Sequence, residues 1–357
     1  MSIDQYIGRQ DMKVIEAMKR IDANVKGILY ITDDVGILVG SLTDGDIRRW
    51  ILKKGDLSAS VSLVMNPGVK SLRSRDVSQI KKIMEQYKIH SIPVVDQDMK
   101  IKDIVFDDTI GNMKPHNADS LMDIPVIIMA GGKGTRLQPY TYILPKPLIP
   151  IGDIPILERI MRRFLSYGAH QYYLVINYKK ELIKAYFNEL DMQAELCYVE
   201  EEKPLGTAGG ITLINREFDS PVIITNCDII IDADYSDIVR HHTEMANDMT
   251  IVSAVKNTEI PYGVMHTDEN GYISGMEEKP RFSFLINTGM YIVNPECVGM
   301  IPQDTVFHMT DLAAKMIEAG KRVGMYPISE GSFFDMGEFE ELKKMEDWVK
   351  DGDKTEI

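Results

Sequence analysis

Apolar residues recur at two periods along this chain of 357 residues, and the way the periods alternate divides it. Between residues 1 and 115 one order of elements occurs twice. A helical stripe of Val14, Ile15, Met18 and Ile21 precedes an apolar strand at 28–31, an acidic turn and a second strand at 37–42. A second stripe, Ile80, Ile83, Met84 and Tyr87, precedes strands at 92–95 and 101–106. Two copies at an offset of about 65 residues, longer than solenoid periods, imply a paired module rather than an array.

The polar run 111–123 contains Pro115 and predicts a linker, placed at 116–123. Beyond it the periods alternate. Strand 125–130 runs into a Gly-rich loop. Helix 154–167 carries the pairs Ile156/Leu157, Ile160/Met161 and Phe164/Leu165 on one stripe and stops at Gly168. Strand 172–177, helix 180–189, strands 195–199 and 222–226, helix 235–247 and strand 250–255 follow. Asn270-Gly271 between two strand-like runs signals a hairpin. The alternation predicts an α/β domain at 124–350 with a mixed sheet, preceded by an α+β pair at 1–115.

Composition makes the chain an ordinary globular one, with 44% hydrophobic and 26% charged residues, which excludes collagen-like and largely disordered classes. The net charge of -14 is uneven. Residues 1–122 carry 18 Lys and Arg against 17 Asp and Glu, and residues 123–357 carry 22 against 37. Such a chain is a poor candidate for sequence-independent binding of nucleic acid. Cys197, Cys227 and Cys297 fit neither a zinc spacing nor a disulfide framework. The start, Met1-Ser2-Ile3-Asp4, lacks the basic and apolar regions of a signal peptide, and the longest apolar run, 124–130, is too short for a membrane span. A soluble, cytoplasmic protein without membrane partners is expected.

The densest chemistry lies in Ala130-Gly-Gly-Lys-Gly-Thr-Arg-Leu137, followed by Pro145-Lys146-Pro147. A Walker loop needs Ser or Thr after Gly-Lys, and Gly134 stands there. A dinucleotide fingerprint needs a third Gly where Leu137 stands. What remains is a strand ending in glycines with Lys133, Arg136 and Lys146 close behind. Consecutive backbone N–H groups cradle anions, and Arg grips phosphate with two donors. A lone GGxG would be a turn with solvated cations.

The full string resembles the signature of the sugar-1-phosphate nucleotidyltransferase family, over about 124–348 of this sequence. The resemblance implies a Rossmann-like GT-A fold and attack of a sugar 1-phosphate on the α-phosphorus of a nucleoside triphosphate. It implies that Ala130, Gly131, Gly132, Gly134 and Thr135 approach the nucleotide, that Lys133 and Arg136 hold the triphosphate, and that Lys146 neutralises charge at the reacting phosphates. Pro204-Leu205-Gly206-Thr207-Ala208-Gly209 resembles the segment beside base and ribose. Asn226-Cys227-Asp228 resembles the metal-binding strand end, with Cys227 where the family usually has Gly, and Asp335 in Phe333-Phe334-Asp335-Met336-Gly337 resembles the second ligand. Mg²⁺ suits two carboxylates plus substrate phosphates. On the sugar side, Tyr262-Gly263, Glu278-Lys279 and Asn287-Thr288-Gly289 match in the expected order. Each alone would be surface or turn.

The repeat resembles a CBS pair, or Bateman module. Gly40-Ser41-Leu42-Thr43-Asp44-Gly45-Asp46 carries the better match, which implies an adenine nucleotide held by Thr43 and Asp46. The second copy departs, with Phe106 for the hydroxyl residue and Thr109 for the acid. Such pairs also serve as dimerisation platforms, so a homodimer is expected.

Base and sugar are less legible. Glu201, within Glu200-Glu201-Glu202, falls where the family reads the base, and an acid there favours guanine, which offers N–H donors. The arrangement resembles guanylyltransferases acting on glucosamine 1-phosphate in legionaminic acid synthesis. Mannose or glucose 1-phosphate, and CTP, dTTP or UTP, stay open. So does a non-catalytic nucleotide-sugar sensor, though such relatives usually lose the loop cations or the metal Asp.

Overall fold

The computed structural model describes residues 3–24, 26–53, 55–74, 77–106, 120–337 and 339–350. Thr109 and residues 116–119 of the expected 116–123 linker lie outside the described residues. The chain divides into two compact units, residues 1–116 and 117–357.

In the first unit the repeat is visible as helix plus hairpin, twice. Helix Val14–Asn24 buries Val14, Ala17, Met18 and Ile21, and helix Val77–Tyr87 buries Ile80 and Met84. The last residue of the second stripe departs from expectation. Tyr87 ends its helix exposed, with Lys70 Nζ 4.7 Å from the ring centre. Strands Ile28–Thr32 and Leu38–Thr43 pair antiparallel, as do Ser91–Val95 and Ile101–Phe106. Strand Ile7–Arg9, which no periodicity predicts, adds to the first hairpin in parallel. Both hairpins close the same way. Asp33 Oδ1 accepts from the N–H groups of Val35 and Ile37, and Asp96 Oδ1 from those of Asp98 and Lys100, at 2.8–3.0 Å. An aspartate bonding its own turn offers the chain a reversal without other help.

The second unit is built on a seven-stranded sheet. From edge to edge it runs Glu195–Glu200, Gln171–Ile176, Val126–Ala130, Val222–Asn226, Arg281–Val293, Met249–Glu259, Val323–Ile328. Every neighbouring pair is parallel except the two that include Arg281–Val293. The sheet is therefore mixed, as predicted. The interior strand Val126–Ala130 shows why an unbroken apolar run suits this place. Val126, Ile128 and Ala130 face a core shared with Ile156, Ile160 and Phe164, while Ile127 faces another shared with Leu312 and Met316.

Helix Lys180–Glu189 has the predicted bounds. The expected helix 154–167 is shorter, at Ile156–Leu165, because Ile154–Pro155 pairs with Pro150–Ile151 instead. Gly168, at φ +89°, follows its last turn. The expected 235–247 helix is Tyr235–Glu244, capped by Asp234 and ended before Ala246 at φ +47°. The Asn-Gly hairpin joins Val264–Thr267 to Ile273–Glu277, with Gly271 at φ +85°. Leu121 is fully buried and packs in the core of this unit. All three cysteines are free, Cys197 exposed and Cys227 and Cys297 buried. No helix among the described residues is long and apolar enough to cross a membrane.

Candidate active site

At the carboxyl ends of the parallel strands the chain leaves the sheet as loops, and three of these loops surround one cleft. It is lined by Gly131, Gly132, Gly134, Thr135, Arg136 and Leu137 of the Gly-rich segment and by Lys146. Glu201, Pro204, Gly206 and Thr207 line it from a second loop, and Asn226, Cys227 and Asp228 from a third. A crevice outside the carboxyl ends of parallel strands is where such sheets bind ligands.

The Gly-rich segment is held from behind. Gly134 adopts φ +63° and its carbonyl accepts from the buried Thr141 hydroxyl at 3.0 Å. A side chain at Gly134 would stand 3.0 Å from Lys146 Cβ, so the loop lies directly on the lysine stem. Lys179 Nζ donates to the Ile143 carbonyl at 2.7 Å, and the Tyr178 hydroxyl to that of Thr141 at 3.2 Å, which fixes the 139–146 stretch. Lys133 is exposed and is not among the cleft-lining residues; Ala130 and Ala208 are buried behind it.

The three consecutive glutamates have different fates. Glu200 pairs with Lys180 at 2.5 Å and with Lys184, which hold its carboxyl down to about 2. Glu202 is exposed. Glu201 alone turns inward and is 5% exposed. Burial pushes its carboxyl up, against the pull of a backbone hydrogen bond from Leu205. Its Oε1 has no hydrogen-bond partner. Side chains at Gly131 or Gly210 would fall 2.6 Å from Oε2 and 2.5 Å from Oε1, so both glycines are needed where they stand.

The loop after Glu201 is clamped by residues 304–309, which sequence reasoning missed. Phe307 N–H donates to the Leu205 carbonyl at 2.9 Å, and the Phe307 carbonyl accepts from Ala208 at 3.0 Å. Thr207 N–H donates to His308 Nδ1 at 3.4 Å and the Thr207 hydroxyl accepts from Met309 N–H at 3.0 Å. Asp311 Oδ2 accepts from the His308 N–H at 2.9 Å at the start of the helix that follows, and an acid at that spacing is the signal that marks this turn.

Asp228 and Asp335 are brought together by a pairing no local pattern encodes. Strand Ile229–Ile231 runs antiparallel to Phe333–Asp335 with Ile229 opposite Asp335, and Met336 N–H donates to the Asp228 carbonyl at 2.8 Å. Lys146 Nζ donates directly to Asp228 Oδ2. A Cβ on Gly337 would lie 3.2–3.4 Å from both Asp335 oxygens and Arg136 Nη1, which places that guanidinium beside the second acid. Burial and then the Asp228 charge push the Asp335 carboxyl up, while Lys146 and Arg136 oppose them. Cys227 is buried in the main core and is accommodated there with burial pushing its thiol up. Among the described residues no group of three or more His, Cys, Asp or Glu is arranged to hold a metal. Two carboxylates without soft ligands fit an ion that completes its shell from phosphates and water, as Mg²⁺ does.

The other expected residues divide. Gly289, at φ +92°, packs on Asn226, since a Cβ there would meet Asn226 Nδ2 at 2.5 Å. Asn226 lines the cleft, whereas Asn287, Thr288 and Gly289 lie behind it and are not among its lining residues; Asn287 Oδ1 accepts from Gly289 N–H, and Thr288 donates to the Val252 carbonyl. Tyr262, Gly263, Glu278 and Lys279 are exposed and do not line the cleft. Gly263 does lie against Glu278, whose Oε2 stands 3.0 Å from where its Cβ would be. In the first unit Thr43 and Asp46 form a capping box at a helix start. Asp46 Oδ2 accepts from the Thr43 N–H and hydroxyl at 2.9 and 2.7 Å, and Oδ1 from Arg49 at 2.6 Å.

Residues 125–351 match the model of the nucleotidyl transferase family, and residues 9–53 and 61–110 match the CBS domain. The chain is similar to a UTP–glucose-1-phosphate uridylyltransferase of Synechocystis, 33% identical over 54% of this chain and 55% of that one. It is also similar to the mannose-1-phosphate guanylyltransferase catalytic subunit beta of Drosophila melanogaster, 35% identical over 49% of each. The chain thus spans about half the length of these relatives. Among solved structures it shares the fold of HddC from Yersinia pseudotuberculosis at a TM-score of 0.50 and 24% identity, covering 63% of this chain and 99% of that one.

Proposed function

Because the chain belongs to the nucleotidyl transferase family, we propose that it transfers a guanylyl group from GTP to a sugar 1-phosphate, with glucosamine 1-phosphate as the acceptor and a nucleotide sugar for surface glycan or nonulosonic acid synthesis as the product. The observation that carries the base assignment is Glu201, a buried acid of the cleft lining whose Oε1 has no hydrogen-bond partner in the protein. A buried acceptor without a partner is costly, and a ligand that donates to it removes the cost. Guanine offers N1–H and N2–H₂ on one edge. Uracil and thymine present one N–H between two carbonyls, which a carboxylate repels.

The acceptor phosphate oxygen forms a bond to the α-phosphorus, and the bond from that phosphorus to the pyrophosphate oxygen breaks. The nucleophile arrives already ionised, so the protein has to position two anions and offset their charge. Arg136 grips the leaving pyrophosphate, Lys133 reaches the triphosphate from the exposed loop, and Lys146 meets the reacting phosphates. Asp228 and Asp335 hold Mg²⁺, which when bound neutralises phosphate charge. The Asn287–Gly289 segment lies on the sugar side. We assign an adenine nucleotide and homodimer formation to the CBS pair. Calorimetry of the full chain with adenine nucleotides tests the first, and no heat beyond dilution would reject it.

The reading is tested by pyrophosphate release with GTP, UTP, CTP and dTTP against glucosamine, mannose and glucose 1-phosphates. Mg²⁺-dependent release with GTP and glucosamine 1-phosphate is expected. Release with CTP or dTTP but not GTP rejects the guanylyl assignment, and none with any pair favours a sensor.

A further inference from the structure

We infer that Lys146 and a divalent cation compete for Asp228, so that metal entry and release of the lysine toward the phosphates are one event. This rests on the proposed reading, which gives Asp228 and Asp335 to the metal. Lys146 donates to Asp228 Oδ2, an oxygen of the carboxylate that would hold the metal. The lysine is not a mobile surface group. It is 9% exposed, opens a turn flanked by Pro145 and Pro147, and carries Gly134 on its stem. Its ammonium is therefore held at the acid.

The charges nearby already balance. Asp228 and Asp335 supply two negative charges, and Lys146 with Arg136 beside Asp335 supplies two positive ones. A divalent ion added to this neutral set gains little net attraction unless Lys146 leaves. A triphosphate gives Lys146 another anion and removes the conflict. Metal alone should thus bind the protein poorly, and removing the lysine charge should let it in.

The experiment titrates the full chain with Mn²⁺ alone, following free Mn²⁺ by electron paramagnetic resonance. Lys146→Gln is expected to bind Mn²⁺ about tenfold or more tightly than the unsubstituted protein, the scale of one adjacent charge on a carboxylate. Lys146→Arg, which keeps the charge, should bind as weakly as the unsubstituted protein. Equal affinity in Lys146→Gln and the unsubstituted protein overturns the competition. Binding in Lys146→Gln that persists after Asp228→Asn is added would overturn the metal assignment itself. A second measurement needs no variant. Mn²⁺ at concentrations that the titration shows to load the site should raise the rate at which an amine acylating reagent labels Lys146, read by peptide mass, and an unchanged rate at that loading overturns the inference.

Discussion

The two polar constellations singled out by sequence sit in different states. In the first unit, Asp46 spends both oxygens within its own turn, on Thr43 and Arg49. In the second, Glu201 is buried with one oxygen unpartnered, and Asp228 reaches 82 residues along the chain to Lys146. Thr43 and Asp46 would be retained as a helix cap with no ligand at all. Nothing local explains a buried acid with an orphan oxygen, or two glycines kept bare to admit it. Polar groups satisfied by near neighbours explain structure, whereas a buried acid left short of partners in the lining of a cleft calls for a ligand.

The comparison is broken most forcefully at the second constellation. Asp228→Asn and Arg136→Ala should each lower turnover by about 10²–10³, the scale for one preorganised electrostatic group. Steady-state pyrophosphate release checks this, and near-normal turnover removes the residue from the site. Gly210→Ala puts a methyl against Glu201 Oε1 and Val175. Overpacking there should cost about 1–3 kcal/mol, measured by urea unfolding. Thr43→Ala removes a cap and should cost about 1 kcal/mol in the first unit. A loss near zero would mean the hydroxyl has no structural duty and would return Thr43 to ligand binding alone.

Acidity sharpens the contrast further. Glu201 and Asp335 both hold their protons to higher pH folded than unfolded. For such acids stability falls as pH rises from the ordinary carboxylate value through the raised folded one, and is then level. Glu201→Gln should remove its share of that fall and leave the protein more stable at neutral pH. Thermal unfolding at pH 4 and pH 7 reads the difference, and a variant less stable at pH 7 contradicts it.

Much of the second unit was legible because its strands are continuous apolar runs between amphipathic helices, as at Val126–Ala130 and Lys180–Glu189. Motif order brought Gly131, Lys146, Glu201 and Asp228 forward together. The residues that escaped depend on contacts far along the chain. The clamp of Phe307 and His308 on residues 205–209 spans about a hundred residues, and so does the pairing that sets Asp335 beside Asp228. Hydrophobic period reports which face of an element is buried, but not which element covers it. The fate of Glu200-Glu201-Glu202 was illegible for the same reason. Glu200 stays outside, paired with Lys180 and Lys184 on a neighbouring helix.

The central claim is that the buried carboxylate of Glu201 reads the base. It is tested most directly by kcat/KM for GTP and for UTP in the unsubstituted protein and in Glu201→Gln. Loss of a charge-assisted hydrogen bond predicts that the preference for GTP falls about 10- to 100-fold in the variant, with the UTP value little changed. An unchanged preference, or one that favoured UTP from the start, would contradict the account.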